Sequence, residues 1–185
     1  MNLVTISTLY PNKNDPKHGI FVHTRLRHLL HSYPEITATV IAPVPWFPFS
    51  SKMFGEYAKY AHVPAKENID GITILHPKYL VIPKIGMYIT PFFLARSIKR
   101  VFKTLLINQH IDIIDGHYFF PDGVAIEKVA AQFNIPFTCT ARGTDINLIP
   151  TFPKARKMLQ SVFTNAAHTT RVCQALTDEM VGLGG

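Results

Sequence analysis

Short apolar segments alternate along the chain with longer segments whose apolar residues recur every three or four positions. The short, β-prone segments predict strands at Leu3–Ser7, Thr37–Ala42, Gly71–His76, Ile111–Asp115, Pro136–Thr140 and Thr169–Cys173. The longer segments predict helices over residues 19–33, 90–109, 123–133 and 153–165, with another beginning at Gln174. Regular alternation of this kind favours a parallel sheet covered by helices on both faces. The pattern therefore predicts an α/β fold with a mostly parallel sheet, in one domain over residues 1–185.

The predicted helix from Thr90 to Gln109 is strongly amphipathic. Its apolar face consists of Leu94, Ile98, Val101, Phe102 and Leu105. Its opposite, basic face consists of Arg96, Lys99, Arg100 and Lys103. A basic helix face is either simply solvated or lies against an anionic membrane surface. Aromatic residues of the proline-rich segment before it suit a membrane interface, an acceptor pocket or the core: Trp46, Phe47, Phe49 and Phe54.

A polar, turn-rich loop leads from the first predicted strand into the first predicted helix. We expect the apolar residues of this helix to share one face: Phe21, Leu26, Leu29 and Leu30. Gly19 opens the helix, where free backbone amides and the positive end of the helix dipole favour phosphate. The same glycine is also compatible with a plain turn, because the GxGxxG pattern of dinucleotide-binding loops is absent.

The charge balance is basic, with 19 Lys and Arg against 12 Asp and Glu and a net charge of +7. This excess favours an anionic partner such as a phosphorylated small molecule, a lipid headgroup or nucleic acid. Nucleic acid is disfavoured, because no helix-turn-helix spacing, zinc motif or RNP pattern occurs. The longest nearly uncharged apolar segment, residues 85–95, is too short to span a membrane. The expected location is cytoplasmic, with peripheral contact at the inner membrane face left open.

Two neighbouring predicted strands end at polar residues that suit a binding cleft. Gly116, His117 and Asp122 follow the strand at Ile111–Asp115, and Arg142, Gly143, Thr144 and Asp145 follow the next strand. In an open parallel sheet, ligands bind beyond the carboxyl ends of the strands. We therefore expect these two segments to form neighbouring walls of one cleft.

The chemistry of these side chains leaves several interpretations open. His117 can bond a sugar hydroxyl or act as a general base, or it can pack as a loop residue against its aromatic neighbours. Arg142 suits phosphate or carboxylate and Asp145 suits sugar hydroxyls, unless the two pair as a structural loop clamp. A metal site at His117 and Asp122 is disfavoured, because no third ligand falls at a suitable spacing.

Several segments in this order resemble the N-terminal domain of family-four retaining glycosyltransferases of the GT-B architecture. These segments are YPNKNDPKHGIFVHTRLRHL, DGITILHPKY, HYFFPDGVA, PFTCTARGTDIN and VCQALTDEMVGLG. The resemblance implies a Rossmann-like three-layer domain that binds the acceptor, which is a glycan or a lipid-linked molecule. A second domain beyond residue 185 would bind the nucleotide-diphosphate sugar donor. The resemblance implies no metal and no other cofactor.

Carried over by position, the resemblance assigns roles to five residues. Gly19 would lie near the donor diphosphate, Gly143 would be a second donor-binding residue, and His117, Arg142 and Asp145 would be catalytic. Many relatives carry a histidine where this chain has Arg142, in a His-Gly-x-Asp pattern. Since an arginine stays charged, proton transfer at this position is doubtful, and a fixed cation would better stabilise a departing diphosphate. By itself this half is expected to be catalytically silent.

Two other classes of function remain open at this stage. The chain could be a stand-alone α/β domain that binds a phosphorylated or anionic small molecule. It could also be a peripheral membrane protein without catalytic chemistry, which contacts anionic lipid through the basic helix face.

Overall fold

The structure, a computed structural model, describes residues 1–46, 60, 62–82 and 86–184. Its strands are β1 (Asn2–Ile6), β2 (Thr37–Ile41), β3 (Val44–Trp46), β4 (Lys66–Ile69), β5 (Ile72–Leu75), β6 (Lys78–Leu80), β7 (Ile113–His117), β8 (Phe137–Ala141) and β9 (His168–Arg171). Its α-helices are α1 (Ile20–Ser32), α2 (Thr90–Asn108), α3 (Val124–Phe133), α4 (Thr144–Asn147), α5 (Pro153–Asn165) and α6 (Thr177–Val181).

The central sheet has seven strands in the order β4-β5-β2-β1-β7-β8-β9. Every neighbouring pair is parallel except β4 and β5, which form a hairpin. The hairpin turn, Asp70 and Gly71, has positive φ at both residues, as a tight hairpin connection requires. The predicted α/β class with a mostly parallel sheet is confirmed.

Helices cover both faces of this sheet. Val22 and Leu26 of α1 pack with Val40 and Ile74 on one face. On the other face α2, α3 and α5 bury a larger apolar cluster, which includes Leu94, Ile98, Phe102, Val129 and Leu159. Since each helix buries one apolar stripe against the sheet, the domain is a three-layer sandwich. The apolar face predicted for α2 is therefore confirmed.

Strand β7 begins and ends later than the sequence predicts. It runs to His117 because parallel pairing with β8 continues to the register pair His117 and Thr140. His117 was expected two residues beyond the strand, and it is instead the last residue of the strand. Its side chain therefore starts from rigid backbone at the carboxyl edge of the sheet.

Two further expectations from the sequence are wrong. Phe21 does not share the buried face of α1, because 46% of it is exposed and its ring contacts a side chain of the β8 loop. The segment after β2 is not entirely loop, because Val44–Trp46 pairs in parallel with Lys78–Leu80. Phe47, Phe49 and Phe54 lie outside the described residues.

The helices among the described residues are too short or too polar to cross a membrane. The longest of them, α2, carries cations on the side that faces away from the core. The two cysteines are free thiols, with Cys139 buried and Cys173 exposed.

Candidate functional site

Four side chains meet at the carboxyl edge of β7 and β8. Asp115 and His117 extend from β7, Arg142 follows β8, and Arg25 reaches over from α1. Arg25 was not predicted, because a basic residue on an amphipathic helix gives no signal of the strand edge that it faces. The predicted meeting of the β7 and β8 segments is present in the structure.

His117 is fully buried, and both of its ring nitrogens are engaged. Nε2 lies 3.0 Å from Asp115 Oδ2, so this nitrogen carries the ring proton and donates a hydrogen bond to the carboxylate. Nδ1 lies 2.7 Å from Arg142 Nη2 and accepts a hydrogen bond from the guanidinium. Burial, opposed by the bond to Asp115, lowers the pKa of His117. The imidazole is therefore neutral and locked in one tautomer, with no free nitrogen for a substrate in this arrangement.

Arg142 is half-buried and is held from two sides. Its Nη2 donates to His117, and its guanidinium carbon lies 4.6 Å from the centroid of the Phe21 ring. Stacking on an aromatic face favours the flat guanidinium. Its Nε–H is buried and has no hydrogen-bond partner among the described residues. Burial and the nearby charge of Arg25 lower the pKa of Arg142, yet an arginine remains charged in a protein.

Arg25 and Asp115 form the other half of the cluster. Arg25 Nη1 donates to Asp115 Oδ2 at 2.9 Å and lies 3.2 Å from His117 Nε2. Burial of Asp115 opposes its ionisation, but its hydrogen bonds to His117 and Arg25 and the positive charge of Arg25 outweigh this effect and lower its pKa. The cluster thus contains two cations, one anion and a neutral histidine.

Asp145 is fully buried and faces the backbone. Its carboxylate accepts from the amides of Phe119 at 2.7 Å, Arg142 at 3.0 Å and Gly143 at 2.8 Å. Burial raises its pKa, and these hydrogen bonds oppose the rise. Asp145 therefore joins the β7 loop to the β8 loop, as the clamp interpretation expected, although it holds the backbone of Arg142 rather than its guanidinium. A catalytic role for Asp145 stays a prediction.

Asp122 is a second buried carboxylate at this edge. It accepts from the amide of Thr8 at 2.6 Å and from the Thr8 hydroxyl at 2.9 Å, which ties the β7 loop to the end of β1. Burial raises its pKa to about 7. Within the described residues no group of histidine, cysteine and acidic side chains is arranged to hold a metal ion.

The two candidate glycines differ in their surroundings. Gly19 has φ +60° and is so close to the preceding loop that a Cβ would lie 2.2 Å from the Leu9 carbonyl. The packing of the loop therefore requires glycine at this position. The predicted place of Gly19 near a donor diphosphate stays a prediction. Gly143 has φ +128° and open space where a Cβ would lie. Its position beside Arg142 leaves the backbone accessible at the cluster.

A cavity of about 340 Å³ lies beside the cluster, beyond the ends of β1, β2 and β5. Its lining includes Thr8, Asn12, His18, His76 and Tyr79, and its described part contains no charged acid, lysine or arginine. The His18 ring bonds the Thr8 carbonyl at 3.0 Å, and both residues line the cavity. A partly aromatic cavity with polar side chains of this kind suits a sugar ring.

Chemically, the arrangement is suited to the binding of an anion and to the positioning of reacting groups. The guanidiniums supply fixed positive charge, whereas His117, Asp115 and Asp145 are occupied by internal hydrogen bonds. Preorganised donors of this kind stabilise negative charge that develops during a reaction.

Comparison with known proteins agrees with this picture. No family model matches the sequence. The chain is 28% identical over 188 residues to the "Putative teichuronic acid biosynthesis glycosyltransferase TuaC" of Bacillus subtilis (strain 168). The alignment covers 100% of this chain and 47% of the relative, so the chain spans about half the relative's length.

A solved structure shares the fold at low sequence identity. It is a putative UDP-N-acetylglucosamine 2-epimerase from Listeria monocytogenes, with a TM-score of 0.56 and 12% identity. The match covers 99% of this chain and 42% of that chain. Sequence and fold together agree with the resemblance: the chain is similar over its whole length to a protein named as a putative glycosyltransferase, and it shares the Rossmann-like α/β fold of the solved structure.

Proposed function

We propose that this chain is the acceptor-side half of a retaining glycosyltransferase. The enzyme transfers a sugar from a nucleotide-diphosphate donor to a glycan or lipid-linked acceptor. The observation that carries the proposal is the whole-chain similarity to a glycosyltransferase, combined with a cationic cluster at the carboxyl edge of the sheet. A second, donor-binding domain completes the cleft in this proposal, and the 47% coverage of the relative supports that division.

Arg142 is the proposed catalytic cation. In the transfer, an acceptor hydroxyl oxygen bonds to the anomeric carbon while the bond from that carbon to the diphosphate oxygen breaks. The diphosphate leaves with the electron pair and takes up the hydroxyl proton. A guanidinium held by Phe21 and His117 stabilises the charge on the leaving group without reorganising. A fixed cation at this position gives a physical reason for an arginine where many relatives carry a histidine.

His117 and Asp145 act as positioning residues in this proposal. His117 orients Arg142 through Nδ1, and Asp145 fixes the backbone on both sides of the cleft wall. Gly143 leaves room for the donor beside Arg142, and the cavity at His18 and Tyr79 receives an acceptor sugar. The donor sugar is a substrate, and no cofactor or metal is part of the proposal.

The test is sugar transfer by the whole protein that the gene encodes. We expect Arg142→Ala to lower kcat by about 100-fold or more, the range seen when one preorganised donor is removed. Arg156→Ala is the matched control, because Arg156 is an exposed arginine that bonds the Gly182 carbonyl rather than a residue of the cluster. Unchanged turnover in Arg142→Ala would remove Arg142 from the mechanism. Efficient transfer by the 185-residue chain alone would contradict the proposal that it is half a site.

We also propose contact with an anionic membrane surface through a basic groove between α2 and α3. Arg96, Lys99, Arg100 and Lys103 line it from α2, and Lys128 and Phe92 complete it. The described lining contains no acidic residue, and Lys128 lies 4.8 Å from the centroid of the exposed Phe92 ring. Clustered cations beside an exposed aromatic suit an anionic interface, with each cation contributing about 1 kcal/mol.

Co-sedimentation with phosphatidylglycerol vesicles tests this surface. Neutralising Arg96, Lys99, Arg100 and Lys103 together should abolish binding. The charge-matched control neutralises four exposed lysines outside the groove: Lys13, Lys17, Lys66 and Lys157. Equal loss of binding in both variants would show that net charge alone is responsible.

A further inference from the structure

The function proposed above gives Arg25 no role of its own within the cationic cluster, yet its geometry links it to Arg142. Arg25 lies 3.2 Å from Nε2 of His117, and Arg142 lies 2.7 Å from Nδ1 of the same ring. The two guanidiniums therefore flank one imidazole from opposite sides. Phe21 and Arg25 lie one helical turn apart on α1, so that this helix supplies both the support beneath Arg142 and the second cation.

The donors of the two arginines are incompletely used within the described residues. Arg25 bonds Asp115 and contacts His117 through Nη1, whereas its Nη2 and Nε make no hydrogen bond there. Arg142 uses Nη2, and its buried Nε–H has no acceptor. A buried donor without a partner is costly, and such sites call for an acceptor that the protein itself does not supply.

The balance of charges around Arg25 and Arg142 also indicates a site for an anion. Among the described residues, a single carboxylate bonds one of the two guanidiniums. It belongs to Asp115, which is 6% exposed and pairs with Arg25. Asp145 and Asp122 are directed to backbone amides and to Thr8. The Arg25 side chain is 47% exposed, so it can reach a ligand without disturbing the core. Among the four side chains of the cluster, two guanidiniums therefore face one carboxylate, although the charge of Asp145 also acts on Arg142 from below the loop backbone.

We propose that Arg25 and Arg142 form a two-guanidinium clamp for one anionic oxygen group of a substrate, either a phosphoryl group or a carboxylate. Guanidinium forks match the oxygens of both groups, and their charge-assisted hydrogen bonds are stronger than neutral ones. His117 acts as the spacer that sets the separation of the two cations. Anion binding by the clamp does not depend on catalysis. The identity of the substrate group rests on the proposed glycosyltransferase function.

The test is an NMR titration of the chain that follows the arginine Nε–H signals, with Arg142→Gln used to assign Arg142. The probes are pyrophosphate, methyl glucuronide and, as the neutral comparison, methyl glucoside. We expect at least one anionic probe to shift the Arg142 Nε–H signal, with an affinity that falls as salt rises, and methyl glucoside to leave it unchanged. Tighter pyrophosphate binding identifies a donor diphosphate as the source of the anion, and tighter glucuronide binding identifies a sugar carboxylate.

Variants of Arg25 decide whether it belongs to the clamp. Arg25→Gln should weaken anion binding at least tenfold, and Arg25→Lys should give an intermediate loss because it keeps charge without the fork. Arg27→Gln is the control on the same helix, since Arg27 bonds Asp70 and is directed away from the cluster. Thermal unfolding of each variant checks that it is folded.

The clamp is overturned if neither anion shifts the Arg142 signal, or if Arg25→Gln and Arg25→Lys both bind the anion as the wild type does. Anion binding without sugar transfer by the whole protein would leave the clamp standing and refute the proposed function. Transfer that is insensitive to Arg25→Gln, with no anion binding, would refute the clamp alone.

Discussion

Replacement of Gly19 by alanine tests the packing of the loop that leads into α1. The added Cβ would lie 2.2 Å from both the carbonyl carbon and oxygen of Leu9, and 2.7 Å from the Tyr10 nitrogen. These are backbone atoms, so no side-chain rotation relieves the contact. Alanine at φ +60° adds about 1–2 kcal/mol of conformational strain. Overpacking against a rigid partner costs about 1–3 kcal/mol more.

The reduced entropy of the unfolded chain offsets about 0.4–1 kcal/mol of this cost. We therefore expect Gly19→Ala to lower the free energy of unfolding by about 2–4 kcal/mol. Gly71→Ala is the matched control, because Gly71 has φ +83° but, apart from its two chain neighbours, no atom of the described residues within 4 Å of the place that a Cβ would take. It should lose about 1 kcal/mol, since it experiences backbone strain without a steric contact.

Urea unfolding of the two variants and the wild type, followed by circular dichroism, gives the comparison. The difference between the variants isolates the close approach of Gly19 to the Leu9–Tyr10 backbone. Equal losses of stability in Gly19→Ala and Gly71→Ala would refute the reasoning, because they would show that no steric requirement exists at Gly19.

Two further predictions concern the buried carboxylates. Burial raises the pKa of Asp122 from 3.8 to about 7. Between these two pH values the folded protein holds a proton on Asp122 that the unfolded chain has released. The contribution of Asp122 to the free energy of unfolding therefore falls as the pH rises from about 4 to about 7. The loss of stability in Asp122→Asn should therefore be largest near pH 4 and shrink toward pH 7 in urea unfolding, and a loss that does not vary with pH would contradict this. Asp145→Ala should lower the free energy of unfolding by about 3–5 kcal/mol, because three amides lose their acceptor. The exposed Asp178→Ala should stay within about 0.5 kcal/mol of the wild type, and an equally small effect of Asp145→Ala would count against its role in joining the two loops.

Much of the fold could be predicted from the sequence, because long amphipathic patterns and buried β-type segments have clear periodicity. The helix at Pro153–Asn165 was predicted with its observed bounds, and α2 differs by one residue at its end. The short strands β3 and β6 could not be predicted, because a three-residue segment has too little pattern and β3 contains a proline.

The candidate site was predictable in position but not in contacts. Polar residues after β7 and β8 indicated the correct edge of the sheet, since parallel strands share that edge. The partners of each side chain depend on tertiary geometry, and therefore the burial of His117 and Asp145 was not apparent. Arg25 and Phe21 were missed as site residues because α1 presents them to the loops rather than to the core, which periodicity alone cannot distinguish.

The most direct measurement is a donor screen on the whole protein that the gene encodes, with NMR of the product to read the anomeric configuration. A panel of nucleotide-diphosphate sugars is offered with glycan and lipid-linked acceptors. The account predicts transfer from one donor class with the configuration at the anomeric carbon retained. Binding of anionic small molecules without transfer or donor hydrolysis would contradict it and would favour a stand-alone binding domain, and an inverted product would contradict the retaining mechanism.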